Sequence, residues 1–218
     1  MKPKRTVLLT GFEPFGGEHV NPSQQIVSAL DGEHIHGYRI VSRVLPVAFA
    51  PCICLLKEWI EELQPTLVIG IGQAGGRAEL SLERVAINLM DARIPDNDGA
   101  QPVDVPVDPD APDGLFASLP LKRVLYALRD AGIPVAMSHT AGTYVCNQVF
   151  FLTVAHLARS ANGARGGFIH VPWLPEQATC HPGQPSMALE TMVAGVRLAI
   201  RTCLAHDDDI ELAAGSTH

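Results

Sequence analysis

Short apolar runs and helix-period segments alternate along this chain. Residues 6–12 (TVLLTGF) form a short continuous apolar run with Gly11 at its end, the pattern of a buried parallel strand. Asn21 followed by Pro22 opens a helix over 21–30, because an N-cap side chain and a proline at the first helical position both suit a helix start. Residues 38–47 alternate with period two and predict a strand, and 66–72 is a second buried one. Between them, 52–63 place Cys52, Leu55, Leu56, Trp59, Ile60 and Leu63 at helical spacing. Residues 78–88 alternate again, with Leu80 and Leu82 on one face, and 91–120, rich in Pro, Asp and Gly, read as loop. A helix over 121–132, a strand over 134–141, a helix over 145–160, a strand over 166–173 and a helix over 187–206 complete the series. The polar tail after Asp207 is expected to fray.

Strands separated by helices imply βαβ units and a mainly parallel α/β sheet covered on both faces. No linker interrupts the chain, so residues 1–218 are expected to form one domain. Ligands of such folds sit outside the carboxyl ends of the strands. The segments expected there are GFEPFGG (11–17), GIGQAGG (70–76), DARIPDNDG (91–99), TAGTYVC (140–146) and IHVPWLPEQ (169–177), and they should build one site.

Composition narrows the function class. The chain is 47% hydrophobic and 18% charged, with a net charge of −7, which argues against nucleic acid or an anionic membrane as partner. No apolar run approaches a membrane span, and the apolar stretch after the basic start is shorter than the core of a secretory signal. A cytoplasmic protein is expected. Cys52, Cys54, Cys146, Cys180 and Cys203 have irregular spacing, without the pairs of a zinc knuckle, so free thiols and no metal are expected.

Four features carry candidate chemistry. GIGQAG (70–75) fits a dinucleotide fingerprint, but the segment after it alternates like a strand where the fingerprint requires a helix. Phe12 and Phe15, three apart in a glycine-rich loop, read either as core cover or as aromatic walls for a flat apolar ligand. Cys146 falls in the first turn of a helix, with Thr143 as the expected N-cap. Free amides there would favour a thiolate and an oxyanion, whereas the plainer reading is a buried, inert cysteine. His170 ends an apolar strand expected to neighbour the one leading to Cys146, so it is either a core histidine or the thiol's proton partner. Glu83, Asp91, Asp96 and Asp98 are candidates to orient that imidazole, and periodicity does not choose among them.

The blocks LLTGFEPFGGEHVNPS, GQAGGR, ERVAINLMDARIPDNDG, TAGTYVCN and GGFIHVPWLPEQ, in this order over residues 8–177, resemble the signatures of the pyroglutamyl-peptidase I (pyrrolidone-carboxylate peptidase) family. The resemblance implies a cysteine peptidase that removes N-terminal pyroglutamyl residues, with Cys146, His170 and Glu83 as its triad. It further implies Phe12 and Phe15 around the lactam ring, with Asn21, Gln73, Ile94, Tyr144 and Val145 as further lining and Arg93 beside the oxyanion site. The fold it implies is a phosphorylase/hydrolase-like three-layer α/β/α sandwich, assembled as a homotetramer without cofactor. Tyr144 departs from the Phe expected in several relatives, and its hydroxyl needs a partner or a path to solvent. Rival readings are a nucleoside phosphorylase-like enzyme, for which the loops offer only Arg77 as a phosphate ligand, and a binding protein without activity.

Overall fold

The computed structural model describes residues 5–160 and 162–215. Its strands are β1 (Thr6–Phe12), β2 (His34–Ile35), β3 (Tyr38–Leu45), β4 (Leu67–Gln73), β5 (Leu80–Glu83), β6 (Val85–Ile87), β7 (Gly114–Phe116), β8 (Val135–Ser138) and β9 (Arg165–Val171). The helices are α1 (Pro22–Leu30), α2 (Phe49–Leu63), α3 (Leu121–Asp130), α4 (Val145–Arg159), α5 (Pro175–Ala178) and α6 (Leu189–Ala205). Seven strands form one sheet in the order β2-β3-β1-β4-β9-β5-β8, and β6 pairs with β7 in a separate ribbon.

Side chains alternate across the central strands, and both faces are covered. Val7, Leu9, Ile69, Ile71 and Ile169 pack with residues of α1, α3 and α6. Leu8, Phe12, Val68 and Phe168 pack with residues of α2 and α4. This double burial explains why β1 and β4 read as unbroken apolar runs. Each fully buried Leu, Ile or Phe contributes about 1.5–3 kcal/mol relative to exposure.

The sheet is mixed, and this changes two expectations. β1 runs parallel to β3 and β4, and β4 parallel to β9, but β5 runs antiparallel to β9 and parallel to β8. The strand carrying His170 therefore lies between β4 and β5, with β5 separating it from β8, the strand before Cys146. Because β8 runs against β9, residues 139–144 do not leave from the same ends as the other loops. They return over the sheet face to deliver α4. Segment 78–88 is likewise two strands in two sheets.

Long-range contacts set several boundaries. α2 begins at Phe49, three residues before its expected start, where Asp96 Oδ2 accepts from Phe49 N at 2.8 Å. Tyr144, not Thr143, is the N-cap of α4, while Thr143 Oγ1 donates to Asp91 O. The 91–120 segment is tied to its own chain: β7 pairs with β6, Met90 bridges Val105, and Asn88 Nδ2 donates to Asp108 O. The tail is anchored through Ala214 rather than frayed. Asp209 accepts from Lys122 N and Arg123 N at the start of α3, and Leu212 packs on the core. Residues 216–218 lie outside the described residues.

Candidate active site

Cys146 is the second residue of α4, and glycine makes room for it. A Cβ built on Gly72 would lie 2.9 Å from Cys146 Sγ and 2.9 Å from the Phe168 ring, closer than real contacts. Gly70 faces the same ring, and a Cβ on Gly75 would meet Trp173 at 2.2 Å. The glycines that imitate a dinucleotide fingerprint are therefore sites of close side-chain approach. β4 ends at Gln73, and no helix opens there.

Gly72 is the register partner of His170 on β9. Adjacent strands are about 4.8 Å apart, so thiol and imidazole stand over neighbouring strands at one level. His170 shares its face with Phe168, whose ring lies 4.9 Å from the imidazole. On the other side of β9, Glu83 ends β5 with no exposure, and its Oε1 lies 2.7 Å from His170 Nδ1. Arg77 Nη1 donates to the same oxygen at 2.7 Å, and Arg77 Nη2 donates to Thr140 O at 3.3 Å. Burial alone would raise the Glu83 carboxyl. The bond and charge of His170, with Arg77, outweigh it and hold the group below the usual range. An ionised Glu83 makes Nδ1 the protonated ring nitrogen, which leaves Nε2 as a base.

Of the other acidic candidates, Asp96 is occupied elsewhere: Oδ2 caps α2 and Oδ1 accepts from Asp98 N and Ala100 N. Asp91 and Asp98 are exposed. Arg77, the only basic residue considered for phosphate, is committed to Glu83.

The thiol differs from expectation. Desolvation pushes Cys146 up to about 12, with Cys52 and Glu83 adding to the rise. Arg77 and the residue's own N–H pull the other way without winning. Desolvation thus favours the neutral thiol, and a base beside it would aid ionisation.

Phe12, Phe15, Asn21, Gln73, Tyr144, Val145 and Cys146 converge on one cleft, together with Val47, which sequence reasoning missed. The cleft is narrow, with about 10 Å³ open to the centre of a water molecule. Phe12 serves both readings at once, because it lines the cleft while its ring packs 6.3 Å from Phe168. Asn21 caps α1: Oδ1 accepts from Ser23 N and Oγ, and Nδ2 donates one bond to Glu13 O. The Tyr144 hydroxyl finds its partner on the chain, donating to Pro95 O at 3.0 Å. Its ring lies 6.2 Å from Phe15 and edge-on to Phe49 at 5.4 Å.

Arg93 and Ile94 stand apart from this lining. Both are exposed, and Arg93 has no hydrogen-bond or ion-pair partner among the described residues. They sit on a segment held to the start of α4 by Asp91 N donating to Thr143 O and by Tyr144 Oη donating to Pro95 O. The 95–99 turn is docked on the first loop, where Asn97 Nδ2 donates to Glu13 Oε1 and Pro14 O. Asn147, beside the cysteine, braces the ribbon through Ile87 N, Ile87 O and Leu89 O. These pairings join residues far apart in sequence and leave no local signal. Among the described residues no cluster of His, Cys, Asp or Glu is placed to hold a metal ion.

A family model described as pyroglutamyl peptidase matches residues 5–206. The chain is 51% identical to a pyrrolidone-carboxylate peptidase of Escherichia fergusonii, over 98% of this chain and 100% of that one. It is 54% identical to one from Cupriavidus taiwanensis, over 98% and 99%. The crystal structure of pyroglutamyl peptidase I from Bacillus amyloliquefaciens superposes with a TM-score of 0.93 at 43% identity, covering 96% of this chain and 100% of that chain. Pyrrolidone carboxyl peptidase from Thermococcus litoralis gives 0.92 at 40%, covering 95% and 98%.

Proposed function

Since the chain belongs to the pyroglutamyl peptidase family, cysteine peptidases that remove N-terminal pyroglutamyl residues, we propose that Cys146, His170 and Glu83 carry that hydrolysis here. The observation that supports this most is the 2.7 Å contact of Glu83 Oε1 with His170 Nδ1, on the strand beside the glycine under Cys146 Sγ.

The neutral thiol sets the order of events. His170 Nε2 takes the proton as Cys146 Sγ attacks the pyroglutamyl carbonyl carbon. The carbonyl oxygen becomes an oxyanion beside the free amides of the first turn of α4, and Arg93, on the segment tethered to that turn, is assigned to assist. The imidazolium, steadied by ionised Glu83, gives its proton to the departing amine, leaving a thioester on Cys146. His170 then deprotonates a water that attacks the thioester, releasing pyroglutamate and returning the proton to sulfur.

Phe12, Phe15 and Tyr144 with Val145 and Val47 give the flat lactam an apolar slot. A pyroglutamyl residue has no free amine, so this lining suits it better than an anionic grip would. The whole chain acts as one peptidase unit in this reading, without cofactor. Five free thiols suit a cytoplasmic location, and among the described residues no helix is long and apolar enough to cross a membrane. Exposed Phe116, Val103 and Ile53 give apolar surface that a homotetramer would cover, which light scattering would read.

The test is release of a fluorophore from a pyroglutamyl amide and from the prolyl amide. Turnover of the first and near-absence of the second are expected, both lost in Cys146→Ala. Equal cleavage of the two would overturn the substrate reading, and turnover by Cys146→Ala the mechanism.

A further inference from the structure

Gln177 follows β9 on the short helix α5 and is 3% exposed. Its Nε2 lies 3.1 Å from Glu18 Oε2, 3.2 Å from Val20 O and 2.9 Å from Gln73 Oε1, and its Oε1 accepts from Leu174 N at 3.1 Å. An ionised carboxylate and a main-chain carbonyl only accept, and a main-chain N–H only donates. These three partners leave the Gln177 amide a single allowed orientation.

That orientation dictates a second one. The Gln73 atom facing Gln177 Nε2 must be an acceptor, because a flipped Gln73 would set two NH2 groups against each other at 2.9 Å. Gln73 Nε2 is then left over. It has no hydrogen-bond partner among the described residues and is not sealed from water. Gln73 lines the cleft beside Cys146, and the cleft's other carboxamide, Asn21, is committed to capping α1.

We propose that Gln177 is a positioning residue that locks the Gln73 carboxamide with its NH2 group toward the cleft, where it donates to the ring carbonyl of the substrate's lactam. This rests on the pyroglutamyl reading above and adds to it the group that reads the carbonyl. A prolyl ring offers CH2 at that place and would leave the donor unpaired, which is how a site rejects an analogue lacking one polar group. The opposite amide orientation would set oxygen against oxygen.

The lock has its own support away from the reacting atoms. Glu18 Oε1 lies 2.7 Å from His181 Nε2, and the His181 ring stacks on Trp173 at 4.0 Å and 4°. The hydrogen bond to His181, the largest influence, holds the Glu18 carboxyl below its usual range, so Glu18 stays an acceptor through neutral pH. Trp173 in turn covers Gly75, two residues beyond Gln73.

A double-mutant cycle on the full-length protein tests this, with Gln177→Met, Gln73→Met and the pair. For Gln177→Met, KM for the pyroglutamyl amide is expected to rise about tenfold with a smaller change in kcat. In the Gln73→Met background the same change at 177 is expected to add nothing, since Gln177 acts through Gln73. Wild-type KM in Gln177→Met, or equal effects in both backgrounds, would overturn the proposal. Gln73→Glu serves as an arm independent of Gln177 substitution. Its carboxylate keeps an acceptor for Gln177 but turns oxygen toward the lactam, so its KM should exceed that of Gln73→Met. A KM at or below the Gln73→Met value would overturn the proposal too. A wild-type protein inert on the pyroglutamyl amide would refute the substrate reading instead.

Discussion

Tyr144 and Gly72 show how single residues divide between packing and chemistry. The tyrosine hydroxyl finds Pro95 O, so the ring is free to line the cleft while its polar end fastens the 91–97 segment. Burial pushes its hydroxyl up to about 12, which keeps it a donor at any working pH. Tyr144→Phe should cost about 0.5–1.5 kcal/mol in thermal melts and leave KM for the pyroglutamyl amide near wild type. A large rise in KM would mean that the hydroxyl contacts substrate. Gly72 lies under the cysteine, where a methyl group would force Sγ or Phe168 aside. Gly72→Ala should therefore lower kcat/KM about a hundredfold while the protein still folds. Undiminished activity would show that Sγ has slack in its placement.

Elements were legible from the chain where local rules decide them. β1 and α1 coincide with their expected bounds because an apolar run and an Asn-Pro cap are local signals. What escaped depends on distant partners. The extra turn of α2 comes from Asp96, and the direction of β5 and β8 is invisible to a period-two pattern that reads the same both ways. The same limit applies to the site. Cys146, His170 and the two phenylalanines announce themselves by residue type and position. Arg77, Val47 and Gln177 have roles only through side chains that folding brings to them. Periodicity left Glu83 one of four acids; the family resemblance singled it out, and the fold sets it 2.7 Å from His170. The tail gives an element-scale test, since Asp209 caps α3 from 86 residues away. Asp209→Ala should cost about 1 kcal/mol in denaturant melts and leave catalysis unchanged. No loss of stability would return the tail to the frayed state expected of its composition.

At the scale of the whole molecule, buried titratable groups shape the pH range of the fold. Cys52, Cys146 and Cys203 are each pushed from 9.0 to about 12, chiefly by desolvation. The folded state holds these protons more tightly than the unfolded chain. Their contribution is thus complete below the ordinary thiol value and is lost as pH rises from about 9 toward 12. Glu83 has the opposite sign: its contribution is present at neutral pH and is lost as pH falls through and below the usual carboxylate range. Melting temperature should therefore stay level through neutral pH and fall on both sides, and a rise above pH 9 would contradict this assignment. The central claim is that the molecule works by acylation of one cysteine. The most direct measurement is peptide mapping by mass spectrometry after acid-quenching the enzyme during turnover of an activated pyroglutamyl ester. The account predicts one pyroglutamyl group on the peptide containing Cys146, absent after treatment with iodoacetamide. Turnover with no acylated cysteine, or with the group on another residue, would contradict it.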